Sequence, residues 1–187
     1  MAQSIEQTTG QALSPDALQR ATQVQVMIFD VDGVLTDGRL YYGPDGEVLK
    51  TFHTLDGHGL KMLRQAGIRT AIITGRESTM VARRAQELDF DWLRQGVHDK
   101  AAAFADLQRE LGVTAAQCGY MGDDVVDLPV MSRVPFAATV SNAPASVLPH
   151  AHWQASQAAG QGAVRELCDY LLHAQGKLEA LVQQYLA

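Results

Sequence analysis

The sequence predicts an α/β fold built on a doubly wound parallel sheet with helices on both faces. Short uncharged runs alternate with helical patterns along the chain, and these runs lack the polar alternation of strands that face water on one side. Three of the runs end in polar or acidic residues. Because the acidic ends of the first and fourth strands can meet only if those strands are neighbours, we expect the strand order 3-2-1-4-5, with a ligand site between them.

The composition fits one soluble domain with a full core. The chain has 187 residues, of which 47% are hydrophobic and 19% are charged, and its formal net charge is −6. The negative charge argues against a nucleic-acid partner, because binding to a phosphate backbone needs a basic surface. We expect no membrane span and no disulfide framework, and the two cysteines, Cys118 and Cys168, suit a reducing cytoplasm.

Residues 1–23 are expected to form a polar leader and a short helix. The leader, as far as Leu13, is expected to be frayed, and residues 14–16 (SPD) have the residue types of a helix start. The first strand follows over residues 24–29, the run VQVMIF, whose uncharged and largely β-branched residues are typical of a strand buried on both faces of a sheet.

Two carboxylates, Asp30 and Asp32, come directly after this strand, where Gly33 permits a sharp turn. Acids placed so close together repel each other, and a bound cation relieves the repulsion. Mg²⁺ suits the position because it prefers oxygen ligands and leaves room for the oxygens of a substrate phosphate. The turn therefore predicts a magnesium site and phosphate chemistry.

A β-hairpin is expected over residues 39–53, where two strand-like runs flank the turn sequence GPDG, and it would form a small flap over the site. The Gly-rich segment over residues 54–59 is expected to be a turn that precedes a helix. The other expected elements, in chain order, are a helix over 60–66, a strand over 68–73, a helix over 78–88, a strand over 90–93, a helix from Lys100 to about Gly112, strands over 118–121 and 136–140, an edge strand over 152–155, and helices over 163–173 and 177–186.

Each polar cluster has a task in phosphoryl transfer, which needs a nucleophile, neutralisation of charge and a proton for the leaving oxygen. Asp30 is the candidate nucleophile, and Asp32 is the candidate general acid and base. Thr74 would hold phosphoryl oxygens, and Lys100 would offset the clustered negative charge. Asp123 would complete the metal site with Asp30 and the carbonyl of Asp32. Two further acids of the same turn would support these ligands from behind: Asp124 and Asp127.

These motifs, in this order, resemble those of the haloacid dehalogenase (HAD) phosphatases, beginning with DVDGVLTDG after a buried strand. The segments FHTLDGHGLKML, GDDVVDLPVM and GAVRELCDYLLHAQGK narrow the resemblance to the phosphatases of 3-deoxy-D-manno-octulosonate 8-phosphate (KDO 8-phosphate). The resemblance covers residues 24–177, which would form a cap-less HAD-like domain with a Rossmann-like sheet. Residues 178–187 would form a helical tail.

The resemblance implies a Mg²⁺-dependent phosphoric monoester hydrolase that acts through an aspartyl phosphate and makes KDO for lipopolysaccharide. It also implies a homotetramer whose hairpins associate across subunits and in which a neighbour's C-terminal segment closes the site. The implied substrate contacts are Asp32, His53, Thr54, Leu55, Asp56, Gly57, Lys61, Arg76, Arg84 and Lys100. The expected lid residues are Gly160, Gln161, Gly162 and Arg165. We also expect the chain to fold without the segment that begins at Gly160.

Two departures from the family pattern and two other functions stay open. The family often has an arginine where this chain has Leu55 and a basic residue where it has Gln161, so positive charge is lost near an anionic substrate. One alternative is a phosphatase of the same type for a nine-carbon sugar acid phosphate. The other is a receiver-like scaffold that keeps a phosphoryl group on its aspartate, although Asp32 would supply the base that hydrolyses it.

Overall fold

The computed structural model describes residues 10–186, and nine strands lie within that range. The strands are β1 (Gln11–Ala12), β2 (Val26–Phe29), β3 (Tyr41–Gly43), β4 (Gly46–Leu49), β5 (Arg69–Ile73), β6 (Trp92–Arg94), β7 (Cys118–Met121), β8 (Phe136–Thr139) and β9 (Trp153–Gln154). The helices are α1 (Ala17–Thr22), α2 (Thr54–Gln65), α3 (Thr79–Glu87), α4 (Lys100–Leu111), α5 (Leu128–Met131), α6 (Ala163–Ala174) and α7 (Leu178–Gln183). No helix in this range is both long and apolar enough to cross a membrane.

Seven strands form one sheet in the order β1-β9-β8-β7-β2-β5-β6, and only the pair of β1 and β9 is antiparallel. The stretch β6-β5-β2-β7-β8 is the predicted order 3-2-1-4-5, so the predicted α/β sheet is confirmed. Two strands extend one edge. Of these, β9 is the predicted edge strand, whereas β1 lies in the expected leader, whose residues 1–9 fall outside the described range.

The strand β1 was not expected, because the leader sequence is polar. It pairs with β9 and so satisfies edge backbone groups that would otherwise be left open. Gly10 makes the approach possible, since a Cβ atom there would lie 2.3 Å from Cζ2 of Trp153. The sheet edge therefore orders a segment whose own composition gives no strand signal.

Helices cover both faces of the sheet and enclose two apolar cores. Within β2, Met27 and Phe29 belong to the core under α2, α3 and α6, while Val26 and Ile28 belong to the core under α4 and α5. All four side chains are fully buried. This explains why the run carries no polar alternation.

The start of α2 differs from the prediction. The segment over residues 54–59, expected to be a turn, is helical from Thr54. A Cβ atom on Gly57 would lie 2.3 Å from Nη2 of Arg84, and one on Gly59 would lie 2.9 Å from Cδ of Arg165. The glycines are therefore contact points that let α3 and α6 approach the helix, rather than turn residues.

The boundaries of one helix and one strand also differ from the prediction. The first helix begins at Ala17 rather than at Pro15, and Asp16 holds Arg20 by an ion pair of 2.7 Å. The third predicted strand is shifted to β6, because Phe90 leaves the sheet and packs edge-on against Phe29, with 6.4 Å between the ring centroids. These shifts follow from packing partners that are distant in sequence.

The helix α6 is part of the main core, which argues against the expectation that the chain folds without the segment from Gly160 onward. Its apolar face packs against α2. The fully buried residues on this face are Val164, Leu167, Cys168, Leu171 and Leu172. Gly176, with φ of +66°, separates α6 from α7 as predicted.

We expect Leu167→Ala to lower the free energy of unfolding by about 2–5 kcal/mol, because it removes buried methyl groups and leaves a cavity. Urea denaturation followed by circular dichroism measures the change. The control is Val182→Ala, since Val182 in α7 is 43% exposed and little burial is lost there. Equal, small changes in both variants would show that α6 is not part of the core.

Candidate active site

A cleft of about 380 Å³ opens at the carboxyl ends of the central strands. Three strands meet there, as predicted: β2 leads to the first acidic turn, β5 leads to Thr74, and β7 leads to the acidic run GDDVVD. The polar residues that line the cleft are Asp30, Asp32, Thr74, Arg76, His98, Lys100, Asp123 and Asp124. The candidate catalytic residues are therefore brought together by the sheet.

The turn after β2 places the two first carboxylates. Asp32 departs from helical geometry, with φ of −77° and ψ of 111°, and Gly33 has φ of +91°. A Cβ atom on Gly33 would lie 2.2 Å from Oδ2 of Asp123. Only glycine therefore lets this turn approach the acidic run that follows β7.

Lys100, the first residue of α4, lies almost fully buried between two carboxylates. Its Nζ atom is 3.1 Å from Oδ2 of Asp30 and 2.6 Å from Oδ1 of Asp127. Burial alone lowers the pKa of Lys100, but Asp30 and Asp127 more than offset that effect and hold the pKa above its usual value. The side chain is therefore a fixed ammonium at the floor of the cleft.

The acids of the cleft outnumber this one buried cation. Burial, opposed by Lys100, raises the pKa of Asp30 to about 6. Burial and the charges of Asp30 and Asp127 raise the pKa of Asp123 to about 7. Oδ1 of Asp30 is buried and has no hydrogen-bond partner among the described residues. Such a group of oxygen ligands, short of positive charge, fits a hard divalent cation.

Three acids, Asp30, Asp123 and Asp127, each offer a ligand atom within 4.8 Å of the others. The oxygens of Asp127 already have partners. Oδ1 accepts from the hydroxyl of Tyr120 at 2.6 Å, and Oδ2 accepts from the backbone N–H groups of Asp123 and Asp124 at 3.1 and 3.2 Å. Asp30 and Asp123 are thus the better candidates for metal ligands, and Asp127 orients both Lys100 and the turn that carries Asp123.

Asp32 lies on the other side of the cleft, among residues of the flap. Its Oδ1 atom accepts from Nζ of Lys50, and its Oδ2 atom is 3.7 Å from Nε of Arg76. Arg76 in turn donates to the hydroxyl of Tyr42 at 2.7 Å. Sequence reasoning missed Lys50 and Tyr42, since residues of an isolated hairpin give no signal that they face a site. It also missed Tyr120 and His98.

Thr74 and Asp124 lie where they were predicted, at the ends of β5 and β7. Thr74 is buried; its N–H group donates to the carbonyl of Arg94 at 3.0 Å, and its own carbonyl accepts from Val97 at 3.1 Å. Asp124 is exposed and caps the turn that follows it, accepting from Val125 at 2.7 Å. Both backbones are thereby fixed beside the cleft.

Only three of the implied substrate contacts line this cleft, namely Asp32, Arg76 and Lys100. The others lie outside it, on and around α2. His53, Asp56, Gly57 and Arg84 line a hollow of about 10 Å³, and Thr54 and Lys61 line an open depression next to it. Leu55 is 52% exposed. One chain therefore does not gather the whole implied set around Asp30.

Asp56 has a partner that the sequence did not predict. Its carboxylate is almost fully buried and accepts from the N–H group of Arg165 at 2.8 Å, in the first turn of α6. Burial raises its pKa, although bonds from this turn oppose the shift. Asp56 thus ties the start of α2 to the start of α6.

The expected lid residues pack against their own chain. A Cβ atom on Gly160 would lie 2.6 Å from the backbone nitrogen of Asp37, and its N–H group donates to Val34 at 3.2 Å. Gly162 precedes α6, and Gln161 is exposed. Nε of Arg165 lies 2.9 Å from both oxygens of Asp169. A lid role toward a neighbouring subunit stays a prediction.

Known proteins are similar to this chain in sequence and in fold. A family model described as haloacid dehalogenase-like hydrolase matches residues 47–134. The KDO 8-phosphate phosphatase of Escherichia coli is 42% identical over 167 residues, which are 89% of this chain and 89% of that protein. The chain belongs to the KDO 8-phosphate phosphatase family. The family that the motifs predicted is therefore confirmed.

Solved structures extend the likeness to the fold. A probable YrbI family phosphatase from Pseudomonas syringae superposes with a TM-score of 0.90 at 48% identity, covering 93% of this chain and 99% of that chain. A KDO 8-phosphate phosphatase from Moraxella catarrhalis, in complex with a magnesium ion, a phosphate ion and a KDO molecule, superposes with a TM-score of 0.88 at 38% identity. The match covers 91% of this chain and 98% of that chain. Members of the KDO 8-phosphate phosphatase family thus share this fold over nearly its whole length.

We expect Asp123→Asn to raise the melting temperature of the metal-free protein at pH 8 and to change it little at pH 5. An unfolded aspartate loses its proton near pH 4, whereas burial keeps Asp123 protonated up to a pKa of about 7. The folded state therefore loses stability as the pH rises from about 4 to about 7, and an amide removes that loss. Because the side chain is only partly buried, we expect a modest gain of about 2–4 °C, or about 1 kcal/mol.

Differential scanning fluorimetry in EDTA at the two pH values measures this effect. The matched control is Asp106→Asn, because Asp106 pairs with Arg109 at the surface of α4 and lies outside the acidic cluster. No gain for Asp123→Asn at pH 8, or the same gain at both pH values, would contradict the stated origin of the pKa shift.

Proposed function

We propose that this chain hydrolyses KDO 8-phosphate to KDO and inorganic phosphate, with Mg²⁺ as cofactor. One observation carries the proposal: Asp30 is buried at the cleft floor with one oxygen beside Lys100 and the other without a partner among the described residues. A nucleophile so placed can attack a phosphorus atom held in the cleft. The Moraxella catarrhalis relative, solved with magnesium, phosphate and KDO, supports the cofactor and the substrate.

In the first half of the reaction, Oδ1 of Asp30 attacks phosphorus and the bond from phosphorus to the sugar oxygen breaks. The electron pair goes to the sugar oxygen, which takes a proton from Asp32. In the second half, Asp32 takes a proton from a water molecule that attacks the aspartyl phosphate. Phosphate leaves, and Asp30 is regenerated as a carboxylate.

The remaining residues hold charge and geometry for this transfer. Lys100 offsets the charge of Asp30 and the phosphoryl oxygens, and Thr74 lines the cleft where it can donate to them. Asp30, Asp123 and the carbonyl of Asp32 would hold Mg²⁺, which supplies further neutralisation of the phosphate charge when it is bound. Asp127 keeps Lys100 in place.

Neither alternative is favoured. The Escherichia coli relative is a KDO 8-phosphate phosphatase rather than a phosphatase for a nine-carbon sugar acid, and the family model is that of a hydrolase rather than a receiver. A receiver-like scaffold would also need a long-lived aspartyl phosphate. Asp32 lines the same cleft as Asp30 and supplies the base that removes it.

The proposal includes a homotetramer located in the cytoplasm, where KDO would feed lipopolysaccharide synthesis. The flap formed by β3 and β4 supports association, because large apolar side chains on it are exposed: Leu40, Tyr42, Val48 and Leu49. A neighbouring subunit would bring its surface over the cleft and complete the contacts to the sugar. Gln161 and Leu55 supply no charge to those contacts.

We expect phosphate release from KDO 8-phosphate to need Mg²⁺ and to exceed release from other sugar phosphates by at least about tenfold in kcat/KM. The measurement is a panel of sugar phosphates that includes a nine-carbon ulosonate 9-phosphate, run with and without Mg²⁺. A preference for the nine-carbon substrate would replace the proposed substrate. Activity unchanged in EDTA would remove the metal from the proposal.

We expect Asp30→Asn to lose at least about 1,000-fold in kcat, because an amide is not a nucleophile and no aspartyl phosphate can form. The fold should persist, since the substitution removes a buried charge. Phosphate release and thermal melting are measured together, with Asp106→Asn as a folded and active control, because Asp106 pairs with Arg109 at the surface of α4 and does not line the cleft. Activity near that of the wild type in Asp30→Asn would remove Asp30 from its assigned role.

A further inference from the structure

The flap contributes one buried cation that contacts Asp32. Lys50, the residue directly after β4, has a side chain that is only 1% exposed. Its Nζ atom pairs with Oδ1 of Asp32 and lies 3.0 Å from Oε1 of Glu47. Lys50 does not line the cleft. It therefore contacts Asp32 without being one of the residues that line the cleft.

A β-bulge in the hairpin explains why this lysine turns inward. Tyr42 pairs with Glu47 and Tyr41 pairs with Leu49, so Val48 is an extra residue on β4. Bulges bend a strand and redirect the side chains that follow. Val48 and Leu49 are both exposed, at 61% and 46%, and Lys50 after them is buried. The hairpin is thus shaped to deliver Lys50 to Asp32.

The charges around Asp32 are balanced, and its two oxygens are used differently. Lys50 and Arg76 face Asp32 and Glu47, two cations against two acids. Lys50 holds Oδ1, whereas Oδ2 lies 3.7 Å from the half-exposed Arg76. The buried pair holds Oδ1, so Oδ2 is the oxygen of this cleft-lining residue that Lys50 does not hold.

We propose that Lys50 is a positioning residue for Asp32, held by the flap so that Oδ2 of Asp32 meets the leaving oxygen of the substrate. The inference rests on the proposed function, and it assigns the flap a part in the chemistry within its own chain. The proton itself moves between Asp32 and the leaving alcohol, and Lys50 keeps its own protons throughout.

The role has a signature that a merely structural lysine would not give. The parameter kcat/KM reports the steps up to loss of the alcohol, so it contains the proton transfer from Asp32 but not the later hydrolysis. An alkyl alcohol leaves poorly without that proton, whereas p-nitrophenolate leaves readily without it. Misplacing Asp32 should therefore harm an alkyl phosphate much more than p-nitrophenyl phosphate.

The test compares kcat/KM of wild type, Lys50→Met and the control Arg83→Met on KDO 8-phosphate and on p-nitrophenyl phosphate, with Mg²⁺ present. We expect Lys50→Met to lose about 10- to 100-fold on the sugar phosphate and less than about threefold on the aryl ester. Arg83 pairs with Glu87 on the surface of α3, so its variant should match wild type on both substrates. Equal losses on both substrates, or no loss, would overturn the role of Lys50.

A second comparison holds even where Lys50→Met alone fails to fold. That variant leaves a carboxylate unpaired, whereas the double variant Asp32→Asn/Lys50→Met removes both charges of the pair. If Lys50 acts through Asp32, the double variant should have the same kcat/KM as Asp32→Asn within about twofold. A further tenfold loss would overturn the inference. Wild-type protein inactive on both esters would instead overturn the proposed function, and this inference with it.

Discussion

The structure depends on a buried cluster of carboxylates at the carboxyl ends of β2 and β7 that has too few positive charges to balance it. Asp30, Asp123 and Asp127 converge there around one ammonium group, that of Lys100. Burial raises the pKa values of Asp30 and Asp123, because each charge is costly until a cation compensates it. The same deficit that strains the metal-free site favours binding of a divalent cation, and that cation would in turn attract a phosphate group. Stability and function therefore oppose each other at these residues.

The backbone around this cluster is specialised so that the acids can meet. A Cβ atom on Gly122 would lie 2.4 Å from Cγ of Asp127, and one on Gly33 would overlap the carboxylate of Asp123. Tyr120 adds a buried hydroxyl that donates to Asp127. Two glycines remove side chains and one tyrosine supplies a hydrogen bond, so the close approach is built into both strand ends. The geometry of the candidate metal ligands is thus preorganised by packing.

Much of this arrangement was predictable, since uncharged strands that end in acids specify both the sheet and its active edge. Asp30 and Asp123 were found because parallel strands place their ends together, and Lys100 was found as a cation at the start of a helix. The misses share a cause. Lys50 contacts Asp32 because a β-bulge redirects its side chain. The glycines of α2 are needed because Arg84 and Arg165, which lie on other helices, pack closely against them. Contacts between elements distant in sequence leave no local pattern, so single-sequence reasoning could not place them.

The positions of the polar residues also suggest how chemistry and recognition are divided. The groups proposed to act in phosphoryl transfer line one cleft of one chain, and the flap residue Lys50 holds Asp32 from outside that lining. The implied sugar contacts His53 and Arg84 lie beside a hollow of about 10 Å³, which is too small for a sugar. If this surface contacts substrate, we expect it to do so by facing the cleft of another subunit. In the proposed assembly, each chain would therefore use its own catalytic residues and would contribute sugar-binding residues to the cleft of a neighbour. Loss of association should then weaken binding of the sugar more than it affects phosphoryl transfer.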